Sequence, residues 1–209
     1  MIFYIVLRTS NIGHNIKTMI FETQRLYVRH WQQTDLHNLH NLYSDTAIME
    51  YIRPILTIEE TRQIFNAQID QYNVDKYLGR YVIIEKASNS FAGIFLLRKP
   101  VDRIGVEIGY AFRKQDWGKG FATEIVKAAV QYVFTSTNFS SIYAYTDRRN
   151  INSKKVLKKS GLTYLENIIE DGKSLEVFSI EKSGCIASSI LFTETKVSTV
   201  NTSLNKVSA

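Results

Sequence analysis

Hydrophobic residues recur along this chain with two periods, and the alternation of these periods divides residues 20–182 into strands and helices. A period of two residues predicts strands over the segments 25–31, 81–85, 91–97, 106–112, 141–146, 163–168 and 175–180. Spacings of three and four residues predict helices that begin after Thr34-Asp35, run from Thr57 to about Tyr72, run from Thr123 to Phe134, and cover Asn152–Lys159, with a short helical piece that ends near Arg53-Pro54. The order β-α-α-β-β-β-α-β-α-β-β predicts a single α/β domain with a mixed sheet flanked by helices.

A loop with two glycines, Gly118 and Gly120, stands between a predicted strand and a predicted helix. Glycine permits positive φ and lets a ligand approach the backbone. The first N–H groups of the following helix lack partners within the helix and carry the positive end of its dipole, which suits a phosphate. Taken alone, the pattern indicates a tight turn about as well as a pyrophosphate site, because it lacks the complete Walker or dinucleotide motif.

Positive charge is concentrated in one part of the chain, whose formal net charge is +6. Between Arg113 and Lys159 the basic residues far outnumber the acidic ones. Such a segment attracts polyanions, whether nucleotide phosphates or nucleic acid, although a solvated helix face is the more common explanation.

Composition excludes several classes of protein. The single cysteine, Cys185, excludes an internal disulfide, and the four histidines lack a third ligand at metal spacing, so we expect no metal. No segment approaches the roughly 18 apolar residues of a membrane span, and the apolar start is too short for a signal peptide. We therefore expect a cytoplasmic protein without a membrane partner. We also expect an N-terminal extension over 1–18, a folded domain over 19–182 and a loose tail over 183–209.

Two segments of the chain resemble motifs of one enzyme family, and they occur in the same order as in that family. Gln115-x-x-Gly118-x-Gly120, which follows the strand segment 106–110, resembles the cofactor-binding motif of the GCN5-related N-acetyltransferases (GNAT). The segment 150–162 resembles the family's Asn-x-x-Ser-x-x-Val-Leu-x-Lys-x-Gly-Phe motif. Motifs that occur together in the right order are far more specific than either alone.

A third segment resembles one branch of that family. Glu22–Arg29, together with Asp35 and Gly93, resembles the RimJ/RimL-type members, which acetylate the N-terminal amine of ribosomal proteins. The resemblance covers roughly residues 20–182. It implies a GNAT-like domain with a mixed, mostly antiparallel sheet.

The resemblance also implies acetyl-CoA as the acetyl donor, without a metal. Backbone N–H groups from Gly118 to Ala122 would hold the pyrophosphate, and the strand Ile108–Phe112 would offer backbone groups to the pantetheine arm. The residues implied in donor binding are Ile108, Tyr110, Phe112, Arg113, Gln115, Gly118, Lys119, Gly120, Phe121, Ala122, Thr123 and Asn150.

Acetyl transfer to an amine requires a neutral amine, a polarised carbonyl and a proton for the departing thiolate. Ser153 occupies the position where RimL-type relatives have a serine proposed to supply that proton. Its alternative role is to satisfy the N-terminus of its helix. By analogy, Asn150 would hydrogen-bond the pantetheine end or a nearby water.

Glu107 is the residue that we predict as general base, because it lies on the strand just before the loop. A surface or salt-bridged carboxylate is the alternative interpretation. The base position of RimL-type enzymes falls near Ile168, which cannot serve, and Glu166 and Glu170 match it only with a shifted register. A relayed water is therefore an alternative to any dedicated base.

Together these observations predict an acetyl-CoA-dependent N-acetyltransferase that acts on a protein N-terminal amine. A small amine, such as a polyamine, an amino acid or an aminoglycoside, is an alternative acceptor. A non-catalytic nucleic-acid or ribosome-binding module on the same fold is the alternative from another class, but the chain lacks an aromatic-interleaved RNA-reading motif, so nucleic acid is not expected as a partner. We expect a monomer or a homodimer.

Overall fold

The structure is a computed structural model of the chain, and it describes residues 19–72 and 77–183. The strands in these segments are β1 (Met19–Glu22), β2 (Leu26–Arg29), β3 (Gly79–Glu85), β4 (Ser90–Arg98), β5 (Val106–Phe112), β6 (Ser141–Asp147), β7 (Thr163–Glu170) and β8 (Lys173–Glu181). The helices are α1 (Leu36–Tyr43), α2 (Thr46–Met49), α3 (Ile58–Gln71), α4 (Phe121–Ser136) and α5 (Ile151–Lys159). Single turns of 3-10 helix cover Gln33–Asp35 and Lys114–Asp116.

The strands form one sheet in the order β1-β2-β3-β4-β5-β6-β8-β7. Neighbouring strands are antiparallel except β5 and β6, which are parallel and are connected by the crossover helix α4. The predicted fold class, a single α/β domain with a mixed, mostly antiparallel sheet flanked by helices, is confirmed.

Helices cover both faces of the sheet and enclose two hydrophobic clusters. On one face, Ile125 and Val133 of α4 pack in the same cluster as Ile108 of β5. On the other, Leu39 of α1 and Phe65 of α3 pack against the alternate residues of the central strands. Burial of each such side chain contributes about 1.5–3 kcal/mol, so these clusters fix the position of β5 between the two layers.

The element order differs from the prediction near its beginning. β1 precedes the first predicted strand and pairs with β2, with Phe21 opposite Val28. A strand with four residues and one buried side chain offers too few positions for a period to be recognised, so its pairing partner decides its structure. The short helical piece before Arg53 is α2, so the order is β-β-α-α-α-β-β-β-α-β-α-β-β.

Of the helix starts predicted at Thr34-Asp35 and at Thr57, the second has side-chain caps. Thr57 accepts a hydrogen bond from the Glu60 N–H, and the Glu60 carboxylate accepts one from the Thr57 N–H. Asp35, in contrast, makes no side-chain cap on α1. Its carboxylate pairs with the Arg29 guanidinium at 2.7 Å and accepts from the Gln32 N–H, because a charged arginine is the stronger partner.

The predicted domain limits remain predictions. Residues 1–18 and 184–209 lie outside the described residues, and the regular elements extend from Met19 to Glu181. Across the described segments, every helix is too short or too polar to cross a bilayer.

Candidate active site

The sheet opens into a fork between its two parallel strands. β5 and β6 pair at Val106 and Glu107, and in the described part of the chain no pairing between them continues beyond Glu107. The other edge of β5 stays paired with β4 as far as Phe112. The edge of residues 108–112 that faces β6 therefore has backbone groups without a strand partner, and such groups need a hydrogen-bonding ligand or water.

The loop after β5 depends on glycine for its conformation. Gly118 has a φ of 75° and Gly120 a φ of 80°, in the left-handed region that side chains disfavour. A Cβ at Gly118 would meet no atom within 4 Å, and one at Gly120 would meet only the Arg25 guanidinium at 3.6 Å. Space alone would therefore admit a side chain, and the backbone conformation is what favours glycine.

The helix behind the loop begins at Phe121, two residues earlier than predicted from its apolar face. Its N-cap residue is Gly120, which has no side chain to cap the helix. The first intrahelical bond runs from the Glu124 N–H to the Gly120 carbonyl at 3.1 Å. The N–H groups of residues 120–123 therefore have no acceptor within the helix, and they form the positive end of its dipole.

The cations around the loop already have carboxylate partners. Asp116, which is 2% exposed, accepts hydrogen bonds from Arg113 Nε and Lys119 Nζ, each at 2.8 Å. Lys114 pairs with Asp45 at 3.1 Å. Because one buried carboxylate faces both Arg113 and Lys119, this turn keeps a net positive charge that suits an anionic ligand.

Polar groups beside the loop close the turn and line a cleft. The Trp117 indole N–H donates to the Phe112 carbonyl at 2.8 Å, and its ring stays half exposed. Gln115 lines an open cleft of about 330 Å³ together with Asn38 and Asn41 of α1. This cleft adjoins the loop on the side of the sheet that α1 covers.

The side chains of β5 that were assigned to the donor divide into two kinds. Ile108, Phe112 and the following Phe121 are buried in the cluster below α4, so only their backbone groups can reach a ligand. Tyr110 is partly buried on the same face, and its hydroxyl lies 3.4 Å from Ser153 Oγ of α5. Burial raises the pKa of Tyr110 to about 12, so this hydroxyl keeps its proton at neutral pH.

Asn150 and Ser153 share the first turn of α5 but differ in what they bind. Asn150 is the N-cap residue, and its side-chain oxygen accepts from the Ser153 N–H at 3.0 Å. The capping role considered for Ser153 therefore belongs to Asn150. The Ser153 hydroxyl instead faces the Tyr110 hydroxyl of β5.

Glu107 lies at the base of the fork, 7% exposed, and is paired with Arg98 of β4. Arg98 Nε donates to Glu107 Oε2 at 2.7 Å, and the two residues are direct partners in the β4–β5 register. Burial raises the pKa of the Glu107 carboxyl, and the bond from Arg98 partly opposes this shift. The salt-bridged interpretation of Glu107 is therefore correct in geometry, and its raised pKa is a property that general bases share.

Charged groups from several strands surround Glu107. Arg80 of β3 lowers its pKa, whereas Glu170 of β7 raises it. The Tyr145 hydroxyl of β6 donates to Asp102 at 3.3 Å, and burial raises the pKa of Tyr145 to about 12. These side chains come from separate strands, so only the folded sheet assembles them.

The other carboxylates considered as bases are placed differently. Glu166 accepts a hydrogen bond from Arg103 at 3.0 Å and is half exposed. The Arg103 guanidinium also lies over the rings of Tyr143 and Tyr145, at 5.1 and 5.7 Å. Glu166 thus ties the β4–β5 loop to β7 from a half-exposed position.

Within residues 19–72 and 77–183, no group of three or more His, Cys, Asp or Glu side chains has the arrangement of a metal site.

Two arginines near the site, Arg25 and Arg98, were not predicted from the sequence as site residues. Arg98 could have been found by aligning β4 against β5, since the register pairs it directly with Glu107. Arg25 reaches the glycine loop at Lys119, which is 94 residues further along the chain. No local pattern signals a contact of that kind.

These features can be compared with known proteins. Residues 25–163, more than half of the chain, match the family described as the acetyltransferase (GNAT) domain. The chain belongs to the GNAT family. The predicted family is thereby confirmed, and so is the predicted enzyme class, an N-acetyltransferase.

Two relatives illustrate the match within the family. The uncharacterised N-acetyltransferase p20 of Bacillus licheniformis is 30% identical over 138 residues, which cover 65% of this chain and 77% of the relative. A spermidine N(1)-acetyltransferase of Vibrio cholerae is 26% identical over 167 residues, covering 75% of this chain and 86% of the relative.

Solved structures of GNAT proteins have the same fold. An acetyltransferase from Bacillus anthracis has a TM-score of 0.68 at 24% identity, over 78% of this chain and 98% of its own. RimL, a ribosomal-protein α-N-acetyltransferase in complex with coenzyme A, has a TM-score of 0.66 at 17% identity, over 78% of this chain and 97% of its own. At these identities the likeness concerns the fold, so the RimJ/RimL-type branch and the individual site residues stay predictions.

Proposed function

We propose that this GNAT protein transfers the acetyl group of acetyl-CoA to a primary amine at the fork between β5 and β6. The observation that carries the proposal is the layout of the fork. An unpaired strand edge leads from a buried carboxylate, Glu107, to a glycine loop at a helix N-terminus. A thioester with a pyrophosphate at its far end matches that order of groups.

The donor half of the site consists of backbone groups. The N–H groups of residues 120–123 hold the pyrophosphate, because they lack acceptors within α4 and lie at its positive end. The open edge of residues 108–112 binds the amide groups of the pantetheine arm. Arg113 and Lys119 contribute their net positive charge while they remain bonded to Asp116.

The chemical step uses three side chains at the fork. Glu107 takes a proton from the acceptor ammonium, directly or through a water, and the freed amine attacks the thioester carbonyl carbon. The C–S bond then breaks, Ser153 gives its proton to the departing thiolate, and the serine takes up, directly or through water, the proton that the new amide nitrogen loses. Tyr110 supports Ser153 in this role, because its hydroxyl stays protonated and lies 3.4 Å from the serine oxygen.

For the acceptor we favour the α-amine of a protein N-terminus. Two carboxylates near the fork are paired with arginines, Glu107 with Arg98 and Glu166 with Arg103. A polycation gains most from unpaired carboxylates, whereas a terminus with one amine does not need them. A polyamine is the second candidate, supported by the sequence similarity to the Vibrio cholerae spermidine enzyme.

Calorimetry with acetyl-CoA tests the donor half of the proposal. We expect a dissociation constant below about 50 μM, within the range in which many enzymes bind their substrates. Absence of binding at that concentration would contradict the enzyme proposal and favour a non-catalytic module on the same fold.

A panel of acceptors tests the other half. N-terminal peptides, spermidine, amino acids and an aminoglycoside are compared by the release of free thiol from acetyl-CoA. We expect the highest kcat/KM for peptides with a free N-terminus, and none for the same peptides blocked at that amine. A preference for spermidine would identify a polyamine, rather than a protein N-terminus, as the acceptor.

A further inference from the structure

Arg25, in the turn between β1 and β2, reaches across to the glycine loop. Its Nη1 donates to the carbonyl oxygen of Lys119 at 3.0 Å. Its guanidinium also lies 4.7 Å from the centre of the Phe121 ring, at the first residue of α4. One side chain thus touches both the loop and the start of the helix.

A carboxylate on α4 holds this arginine in place. Glu124 Oε2 accepts from Arg25 Nε at 2.7 Å and lies 2.6 Å from its Nη2, and Glu124 Oε1 accepts from the Arg25 backbone N–H at 3.0 Å. Thr23 donates a further bond to Glu124 at 2.5 Å. Although burial favours the neutral acid, hydrogen bonds from Thr23 and Arg25 hold the pKa of the Glu124 carboxyl below its ordinary value.

The contact to Lys119 controls a peptide unit that is otherwise free to rotate. The carbonyl of Lys119 and the N–H of Gly120 belong to one planar trans peptide, so they point in opposite directions. This plane turns about ψ of Lys119 and φ of Gly120, and Gly120 places little steric restriction on it. A hydrogen bond to the carbonyl therefore selects one orientation of the Gly120 N–H, directed away from Arg25.

We infer that Arg25 is a positioning residue for the acetyl donor: it fixes the Lys119–Gly120 peptide so that the Gly120 N–H is presented to the pyrophosphate. All three guanidinium nitrogens are bonded to Lys119 or Glu124, so the role assigned to Arg25 acts through the loop and needs no direct contact with phosphate. This inference rests on the proposed use of acetyl-CoA. It adds to the donor site a residue that lies 94 positions before Lys119 in the sequence.

The first test compares donors with and without the nucleotide. In Arg25→Gln we expect the KM for acetyl-CoA to rise about ten- to hundredfold, the cost typical of losing hydrogen bonds to charged groups, with kcat nearly unchanged. With S-acetylpantetheine, which lacks the pyrophosphate, kcat/KM should equal that of the wild type. An equal loss with both donors would overturn the inference, because it would indicate general damage to the site.

Two further variants separate position from charge. Arg25→Lys keeps the charge, but one ammonium cannot bond the Lys119 carbonyl and span both oxygens of Glu124 at once. We expect it to stay impaired with acetyl-CoA, and full recovery would overturn the positioning role. Arg62→Gln removes an equally exposed arginine from α3 and should bind acetyl-CoA like the wild type.

A measurement without any donor keeps this inference distinct from the proposed function. Amide hydrogen exchange of the free protein should be faster over residues 118–123 in Arg25→Gln than in Arg62→Gln, with equal melting temperatures as evidence of folding. Equal exchange in the two variants would overturn the inference whatever the wild type binds. Wild-type protein that fails to bind acetyl-CoA would contradict the proposed function alone.

Discussion

The glycine loop and the base of the fork lie at opposite ends of β5, and they are built from different material. The loop presents backbone N–H groups in an order set by consecutive residues, and its main requirement is a positive φ at Gly118 and Gly120. The base of the fork consists of side chains from separate strands, Glu107 on β5, Arg98 on β4 and Tyr145 on β6. A site made of backbone is specified locally, whereas a site made of side chains depends on strand register.

This difference predicts how the two regions respond to mutation. Substitutions at the loop should act on donor affinity, and mostly where they change backbone conformation or charge. Substitutions at the fork should act on the chemical step and on its pH dependence. A loop variant that changes the chemical step, or a fork variant that changes donor affinity, would contradict this difference between the two regions.

Gly120→Glu should have the largest effect, a loss of acetyl-CoA affinity of about a thousandfold, because a carboxylate would enter the site of an anionic ligand. Calorimetry measures the loss. Gly172→Glu is the matched control, since Gly172 has a φ of 75° in the β7–β8 turn and an added Cβ there meets no atom within 4 Å. Similar weakening in both variants would mean general damage to the protein, rather than a carboxylate placed at the glycine loop.

Glu107→Gln should lower kcat by about a hundredfold, the contribution of a positioned general base, and leave acetyl-CoA affinity within about twofold. Steady-state kinetics with a saturating amine, together with calorimetry, checks both parts. Unchanged kcat would remove Glu107 from the mechanism and favour a relayed water.

Ser153→Ala should lower kcat by about tenfold, less than loss of the base, because Tyr110 or water can still protonate the thiolate. Tyr110→Phe should cost a similar factor, and the double variant less than the product of both, since the two hydroxyls act as a pair. Asn152→Ala, at an exposed position of the same helix turn, serves as control. Fully multiplicative losses would show that the two hydroxyls act independently.

Arg98→Gln should have the smallest effect at neutral pH and shift the pH profile. Glu107 must be ionised to act as base, so kcat/KM falls as the pH drops through its pKa. Arg98 lowers that pKa against the effect of burial, so its removal should move the acid limb to higher pH. Lys99→Gln removes one positive charge at the next residue and should leave the acid limb of the pH profile unchanged. If the acid limb is also unchanged in Arg98→Gln, Glu107 is not the group that produces it.

The sequence predicted most elements because their signals are local. The strand 106–112 was predicted with the bounds that the structure has, and the Thr57–Glu60 capping box formed as its spacing indicates. The short strand β1 was missed, because four residues contain no usable period. The start of α4 was placed two residues late, because the apolar face begins after the turn that the helix N-terminus occupies.

For the site, the sequence by itself determined the glycine loop and the family, and it predicted the donor-side residues, since all of these lie in contiguous segments. Only the tertiary structure decided that Arg98 pairs with Glu107, that Tyr110 faces Ser153, and that Arg25 holds the loop. Backbone conformation follows from neighbours in the chain, whereas these contacts follow from register and packing between distant elements. Such contacts form only when hydrophobic burial brings the strands and helices together.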